Sequence, residues 1–329
     1  MNIAIVGAGW MGCHLSEYLI KKSHNIQLFD GSGIFTGSSF YNQNRLHLGF
    51  HYSRNKKTRQ LCLNTFERFS KEYSHIIDSV PNNLYVVPKD KSIIDFDTYK
   101  SIFEYEKIQF NTVNTHNLNN IEGCISVEER HINPYKAKQY FESSLSNYLN
   151  IQNITEGNIG VLTKNFDLVF NLTNNRINTI EDHYYELSIV LVYEKINQTD
   201  FGAITMVDGP LFSIYPYKDS DYTLTDVEYT PLYTSNSLKE LEEFKSNIDK
   251  DIIERTKNLI EQKVLLYYNN FKSDFEYKNY YTSIKVKRLS NSADRYPIIT
   301  KKDNLISAVT GKIQGIYILE DYVNEIISR

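Results

Sequence analysis

Cysteine is scarce in this chain: Cys13, Cys62 and Cys124 are the only three among 329 residues, odd in number and far apart. They offer neither a disulfide framework nor the paired spacing of a zinc site, and they suit a reducing compartment, so the expectation is a cytoplasmic protein. Long apolar runs are missing too. None approaches the ~20 residues that span a bilayer, which sets aside an integral membrane segment. The apolar start, MNIAIVGAGWMG, is too short and too rich in glycine for a signal peptide. Strong charge of either sign is also lacking, with a formal net charge of −4. That leaves no electrostatic case for nucleic acid or an acidic lipid surface as an obligatory partner. No internal repeat or low-complexity linker interrupts the chain, whose length suits two modest domains or one large α/β unit.

The amino terminus carries the first positive signal. NIAIVGAGWMGCHLSEYLIKKSHNIQLFD reads as strand, turn, helix and strand. Ile3, Ala4, Ile5 and Val6 form the short apolar run of a strand buried on both faces. Gly7, Gly9 and Gly12 then give G-x-G-x-x-G: the first for a tight turn, the second for backbone approach to a pyrophosphate, the third for helix–strand packing. The helix that follows starts at Trp10 and Met11 and turns Leu15, Leu19 and Ile20 inward, with its amino-terminal N–H groups facing the phosphates. The second strand ends in Asp30, an acid placed to accept ribose hydroxyls. The fingerprint predicts a dinucleotide and leaves NAD and FAD open.

Residues 37–55, GSSFYNQNRLHLGFHYSRN, are dense in aromatic and imidazole rings and hold two arginines. A nucleic-acid strip is disfavoured by the acidic net charge. His47 and His51 at i, i+4 would need a helix to share a metal; Gly49 lies between them and no third ligand is evident, so no metal is expected. The remaining reading is the wall of a cofactor site. With alternating side chains, Arg45, His47 and Gly49 are expected on one face of an extended strand.

This stretch resembles the small-residue segment that follows the ribose-binding acid in the D-amino-acid oxidase and glycine oxidase superfamily of flavoproteins, with Gly37, Ser38, Ser39, Asn44, Leu46 and Gly49 at the matching positions. Three later segments resemble the same family. HINPYKAKQYFESSLSNYL is similar to its "vdPxxlxxal" helix, with Pro134 at the start and Tyr140, Leu145 and Leu149 on one side. FDLVFNLTNN, residues 166–175, is similar to the "DxVVxaxG" strand, without the final glycine. SADRYPIITKKDNLISAVTGKIQGIYILEDYVNEIISR resembles "DgxPxiG…GhgxxGxxlaxxxaxxia". About half the chain is covered, in the right order.

The resemblance implies FAD rather than NAD. It also implies an α/β protein, in which a Rossmann-like FAD-binding domain (1–85, 126–180 and 285–329) is interleaved with an α+β substrate domain built on an antiparallel sheet (86–125 and 181–284). Period-two runs such as YYELSIVLVYEKI and YTLTDVEYTPLY suit that sheet. SLKELEEFKSNIDKDIIERTKNLIEQKVLLYYNNF has helical spacing, opened by a Ser237–Glu240 capping box. The segment Gly37, Ser38, Ser39, Asn44, Arg45 and Leu46 is expected over the flavin. Gly311, Lys312, Ile313, Gln314 and Gly315, then a helix through Ile327, are expected at its pyrimidine edge. In relatives with covalent flavin the linked position would fall near Tyr41, which is not histidine, so the FAD is expected to be non-covalent.

Flavin carries out redox chemistry itself, so the protein must orient a small-molecule substrate and supply charge. Lys312 is the candidate for stabilising the reduced cofactor. Arg45 and His47 are candidates to face flavin or substrate, and His51, Tyr52 and Arg54 continue the stretch toward the mouth of a site. The family's carboxylate-binding arginine precedes "DgxP"; the corresponding segment here, KVKRLSNSADRYP, offers Lys287 or Arg288. Tyr215 and Tyr217 flank Pro216 on one face and are candidate substrate contacts. The expected activity is oxidation of a C–N bond of an amine, amino acid or amino sugar. The alternatives are oxidation of an alcohol or hydroxy acid, or a flavin-dependent sugar mutase. Oxygen, a quinone and a carrier protein all stay open as electron acceptors.

Overall fold

The computed structural model describes residues 1–178, 180–289 and 294–328. The chain divides into two compact units: Met1–Phe40, Pro134–Tyr185 and Lys285–Arg329 in one, and Tyr41–Asn133 and Glu186–Ile284 in the other. The fold is mixed α/β, with both parallel and antiparallel sheets.

The first unit is built on a six-stranded sheet in the order Ile298–Lys302, Leu305–Val309, Leu168–Asn171, Asn2–Val6, Asn25–Asp30 and Leu149–Ile151. Every neighbouring pair is parallel except the first, which is antiparallel. Asn2–Val6 is central, and its unbroken apolar run is buried, as a parallel strand covered on both faces requires. Helix Trp10–Lys21 follows, burying Leu15 and Leu19 while Ile20 is only half-buried. The carboxy-terminal helix, Ile316–Ile327, joins it through a buried 2.9 Å contact between His14 Nε2 and Glu320 Oε2.

Helix Pro134–Leu145 starts at the expected proline, but its inward face is Ala137, Phe141 and Leu145. Tyr140 is half-buried and its hydroxyl donates to Glu17 (3.1 Å). Leu149 lies on no helical face: a 3₁₀ turn, Ser146–Tyr148, ends the helix and Leu149 opens a strand opposite Leu28. At the end of Leu168–Asn171 the Asn171 amide donates to Ile177 O (3.0 Å) and Ser307 Oγ (3.2 Å), and the position of the missing family glycine, three residues on, is Asn174 at φ +54°.

The second unit is built on a nine-stranded sheet. Its main path runs Pro231–Ser235, His183–Lys195, Asp221–Asp226, Phe212–Lys218, Ala203–Met206, Asn83–Pro88, Ile121–Val127 and Asn111–Val113, and Phe275–Arg288 also pairs with His183–Lys195. From His183–Lys195 to Asn111–Val113 along this path the pairs are antiparallel apart from Ala203–Met206 with Asn83–Pro88. Alternation gives the sheet two different faces. Leu84, Val86, Ile204, Met206, Phe212, Ile214 and Leu224 pack against Ile253, Ile260 and Val264 of helix Lys250–Leu265. The register puts Asn83, Tyr85, Thr205, Ser213, Tyr215 and Thr223 on the opposite face, and all six are buried. A buried polar sheet face is unusual, because such groups normally face water.

The stretch with helical spacing is three helices, Leu238–Ser246, Lys250–Leu265 and Phe271–Asp274. Ser237 Oγ accepts from Glu240 N (3.3 Å), but the Glu240 carboxylate accepts from Ser235 Oγ (2.6 Å), so only one arm of the capping box forms. Asp249 caps the second helix, accepting from Asp251 N (3.1 Å). The division at Tyr41 differs from the expected span 1–85 for a packing reason: Phe50 and Tyr85 share a core with Tyr99, Phe103 and Ile125.

Candidate functional site

In the first unit, the glycine-rich turn joins the first strand to the first helix. Gly7 has φ +106°, a left-handed conformation, and a Cβ there would lie 2.5 Å from Leu172 O. A Cβ on Gly12 would lie 1.8 Å from Gly7 O, so helix and turn pack backbone to backbone. One on Gly9 would meet Ser39 Oγ at 2.7 Å, and that hydroxyl accepts from Trp10 N (3.1 Å) at the head of the helix. The N-cap residue, Gly9, supplies no side chain of its own and the first turn holds no acid, which leaves the positive end of the helix suited to an anion. The Trp10 indole packs edge-on against Phe35 (5.0 Å) and Phe141 (5.5 Å), and Met11 is buried. Asp30 Oδ2 accepts from Ala8 N (2.9 Å), and Oδ1 from Ser32 N (2.9 Å) and Gly33 N (3.0 Å). This carboxylate ties the glycine turn to the next loop and keeps acceptor capacity for a hydroxyl. The cradle fits the dinucleotide of FAD.

The second element of this unit is the turn of residues 311–315. A Cβ on Gly311 would meet Arg295 Cδ at 2.8 Å, and one on Gly315 would meet Thr310 Oγ1 at 2.2 Å and Pro297 Cγ at 2.7 Å. Both glycines are needed because the turn lies against the DRYP segment. Lys312 N donates to Thr310 Oγ1 (3.2 Å), Ile313–Gly315 form a 3₁₀ turn, and Gln314 is buried. Arg288 NH1 donates to Asp294 Oδ2 (3.3 Å), the acid of DRYP itself. Lys287 is half-buried, and residues 290–293 between these segments lie outside the described residues. Gly37 is exposed with open space around it, and Ser38 and Ser39 are half-buried.

In the second unit, residues 41–54 do not form one extended strand. Only Arg45–Leu46 is strand, paired with His131 and Arg130, and Gly49 at φ +113° turns the chain. Asn44, at φ +46°, enters the strand with its N–H donating to Asn42 Oδ1 (2.6 Å). Arg45 and His47 therefore reach different partners. The Arg45 guanidinium stacks 4.1 Å from the centroid of Tyr215, with NH1 donating to Thr205 Oγ1 (2.6 Å) and NH2 to Gln43 Oε1 (2.7 Å). Gln43 Nε2 in turn donates to Ser213 O (3.3 Å) and Thr223 Oγ1 (3.3 Å).

His47 Nδ1 lies 3.4 Å from Glu129 Oε2, longer than a good hydrogen bond. Glu129, 1% exposed, also accepts from Leu48 N (2.7 Å), Gly49 N (3.2 Å) and Tyr85 Oη (2.7 Å). Burial works against its charge, yet His47 beside it and the bonds from Tyr85 and Leu48 hold its pKa below the ordinary glutamate value. Burial, reinforced by the Glu129 charge, pushes the Tyr85 phenol well up. His51 is half-buried, its ring 5.1 Å from that of Tyr52.

Tyr215 is fully buried with its hydroxyl donating to Arg130 O (3.1 Å), so it is a platform under Arg45. Tyr217, also buried, lies 5.6 Å from the ring of Tyr281, which lies 5.0 Å from that of Tyr41. Glu129, Thr205, Gln43 and Tyr85 escaped the sequence reading. No local motif marks Glu129 or Thr205, and Tyr85 and Thr205 share a face only through the pairing of Asn83–Pro88 with Ala203–Met206, strands far apart in sequence.

Among the described residues, no group of three His, Cys, Asp or Glu side chains could hold a metal ion, and no helix is long and apolar enough to cross a membrane. No family profile matches the chain. An FAD-dependent monooxygenase of Fusarium mangiferae, FPY4, is 30% identical over 337 residues, spanning 99% of this chain and 91% of that protein. The FAD-dependent monooxygenase kojA of Aspergillus flavus is 24% identical, spanning 100% of this chain and 86% of that one. Among solved structures, glycine oxidase from Bacillus cereus shares the fold with a TM-score of 0.69 at 12% identity, covering 99% of this chain and 96% of that chain. Full-length similarity to an FAD enzyme, the glycine oxidase fold and a cradle shaped for the dinucleotide agree: the chain belongs to the family of FAD-dependent oxidoreductases that includes the Fusarium protein, and it has the fold of glycine oxidase.

Proposed function

We propose that the protein oxidises a C–N bond of a small amine, amino acid or amino sugar. The bound FAD supplies the hydride acceptor. Gly7, Gly9, Gly12 and Asp30 hold its dinucleotide, Ser38 and Ser39 cover the pyrophosphate, and the 311–315 turn with Lys312 contributes positive charge. The second unit recognises substrate. The observation that carries this reading is the buried polar face of its sheet, where Arg45 lies on Tyr215 and the Tyr41, Tyr217 and Tyr281 rings cluster. Such a surface combines a fixed cation with aromatic walls, the pairing that orients a small polar substrate in a dry site.

Anaerobic mixing of the yellow protein with a panel of amines, amino acids and matched alcohols tests it. Bleaching of the flavin band by amines and not by alcohols is expected. Bleaching by alcohols alone would replace the reading with hydroxy-acid oxidation, and turnover only after dithionite, without net oxidation, would replace it with a mutase. A second reading, monooxygenation, draws on the names of the Fusarium and Aspergillus relatives. Turnover under ¹⁸O₂ separates the two, because only a monooxygenase places the label in the organic product.

A further inference from the structure

The helix-covered face of the second unit's sheet carries a cavity of about 330 Å³. Its walls come from strand His183–Lys195, helix Lys250–Leu265, the short helix Phe271–Asp274 and the start of strand Phe275–Arg288. Tyr193, Phe271 and Phe275 are buried in the apolar core there, and Tyr277 packs at its margin. The ring centroids of Tyr193 and Phe271 are 5.0 Å apart, those of Tyr193 and Tyr277 5.5 Å, and those of Phe271 and Phe275 5.6 Å. Ile196, 51% exposed, and Lys272, 62% exposed, also line the cavity, so it opens to solvent on their side. Alternation keeps Tyr193 on the face of Leu191 and Leu224, whereas Thr223 and Tyr215, the neighbours of Gln43 and Arg45, lie on the other.

Rings alone would make this wall an extension of the core. A carboxylate among them needs another reason, because burial penalises its charge unless a cation is near. Glu261 is 7% exposed. Its Oε1 accepts from the Tyr193 hydroxyl (2.8 Å), and its Oε2 lies 3.0 Å from Lys272 Nζ. The counter-charge of a nearly buried acid is thus a solvent-exposed lysine, a kind of pair that contributes little and is readily exchanged. Glu276, exposed, lines the same cavity, so two carboxylates face one lysine. Tyr277 already takes a cation on its ring, with Lys257 Nζ 4.8 Å from the centroid.

We propose that this cavity is a second small-molecule site, selective for a primary ammonium ion that carries a single-ring or branched apolar body. The ammonium takes the place of Lys272 on Glu261 Oε2, and the apolar body lies among the Tyr193, Phe271, Phe275 and Tyr277 rings. The volume falls at the small end of the range for ligand sites, about 300–1,000 Å³. The site lies on the opposite sheet face from Arg45 and Tyr215 and is independent of the oxidation chemistry proposed above.

The test uses cumylamine, whose carbon beside nitrogen bears no hydrogen, so hydride transfer cannot consume it. Calorimetric titration into the FAD-loaded protein is compared with cumyl alcohol, its neutral counterpart. Wild type is expected to prefer the amine by about 10-fold, the scale of one charge-assisted hydrogen bond. Lys272→Ala removes the competing ammonium and should tighten amine binding several-fold without changing alcohol binding. Glu261→Gln, which keeps an acceptor for the Tyr193 hydroxyl, should erase the preference. Circular dichroism is recorded for each variant; should Glu261→Gln fail to fold, Lys272→Ala, a surface substitution, decides alone. Equal binding of amine and alcohol by wild type, or amine binding by Lys272→Ala no tighter than by wild type, would overturn the proposal. A preference that survives Glu261→Gln would also overturn it, by placing the amine elsewhere on the protein.

Discussion

Replacing Glu129 tests how the turn carrying His47 is held. The carboxylate is 1% exposed and accepts from Leu48 N, Gly49 N and the Tyr85 hydroxyl, with His47 Nδ1 3.4 Å away. Glu129→Ala strands three buried donors. Each costs about 1–3 kcal/mol when unmade, but the losses share one site and relax together, so about 3–5 kcal/mol is expected. Glu129→Gln keeps one carbonyl for the two backbone N–H groups and turns an NH₂ toward Tyr85, whose hydroxyl can rotate to accept. About 1–3 kcal/mol is then expected, the cost of one unmade bond.

The pH dependence follows from the lowered pKa of Glu129 in the folded protein. Its ionised form contributes stability that is fully present above the unfolded glutamate pKa, about 4.3, and is lost as pH falls through the lower folded value. The gap between wild type and Glu129→Gln should therefore be largest near neutrality and shrink below about pH 4. Urea unfolding of the three proteins at several pH values, at saturating FAD, measures it. A gap independent of pH, or a Glu129→Ala protein as stable as wild type, would show that this carboxylate does not organise the turn.

Gly9→Val should abolish FAD retention, since a side chain there meets Ser39 Oγ at the head of the first helix; unchanged FAD stoichiometry after gel filtration would refute the cradle. Lys312→Met is expected to retain FAD but to slow its reduction in stopped flow, and loss of FAD with normal reduction of the remainder would make Lys312 a binding residue only. Arg59→Met leaves Glu106 without its bidentate partner and frees the Tyr52 and Ser53 carbonyls. It should destabilise by about 3–5 kcal/mol, as breaking a buried pair does, and unfolding midpoints indistinguishable from wild type would contradict this.

Legibility in the sequence followed the distance over which each contact acts. The cradle is local: Ala8 finds Asp30 and Trp10 finds Ser39 within 30 residues, so spacing marked the glycines and Asp30, while Ser39 was marked only by the family resemblance. The Pro134 helix start was equally readable, but its inward face was not, because a 3₁₀ turn breaks the period before Leu149. The polar site is assembled across the chain. Arg45 meets Thr205 at a separation of 160 residues, and Leu48 meets Glu129 at 81. Types and positions there flagged Arg45, His47, Tyr215 and Tyr217 as unusual, yet gave no means of pairing them. An extended strand was the natural expectation for residues 45–49, but the strand ends at Leu46, so Arg45 reaches Thr205 on the sheet while His47, beyond the strand, lies beside Glu129. That separation is one of hydrogen bonds and not of charge. Burial raises the Tyr85 and Tyr215 phenols first, and on both the Glu129 charge adds to the rise while Arg45 opposes it, so Arg45 and Glu129 stay electrostatically linked through shared neighbours although they are held by different hydrogen bonds.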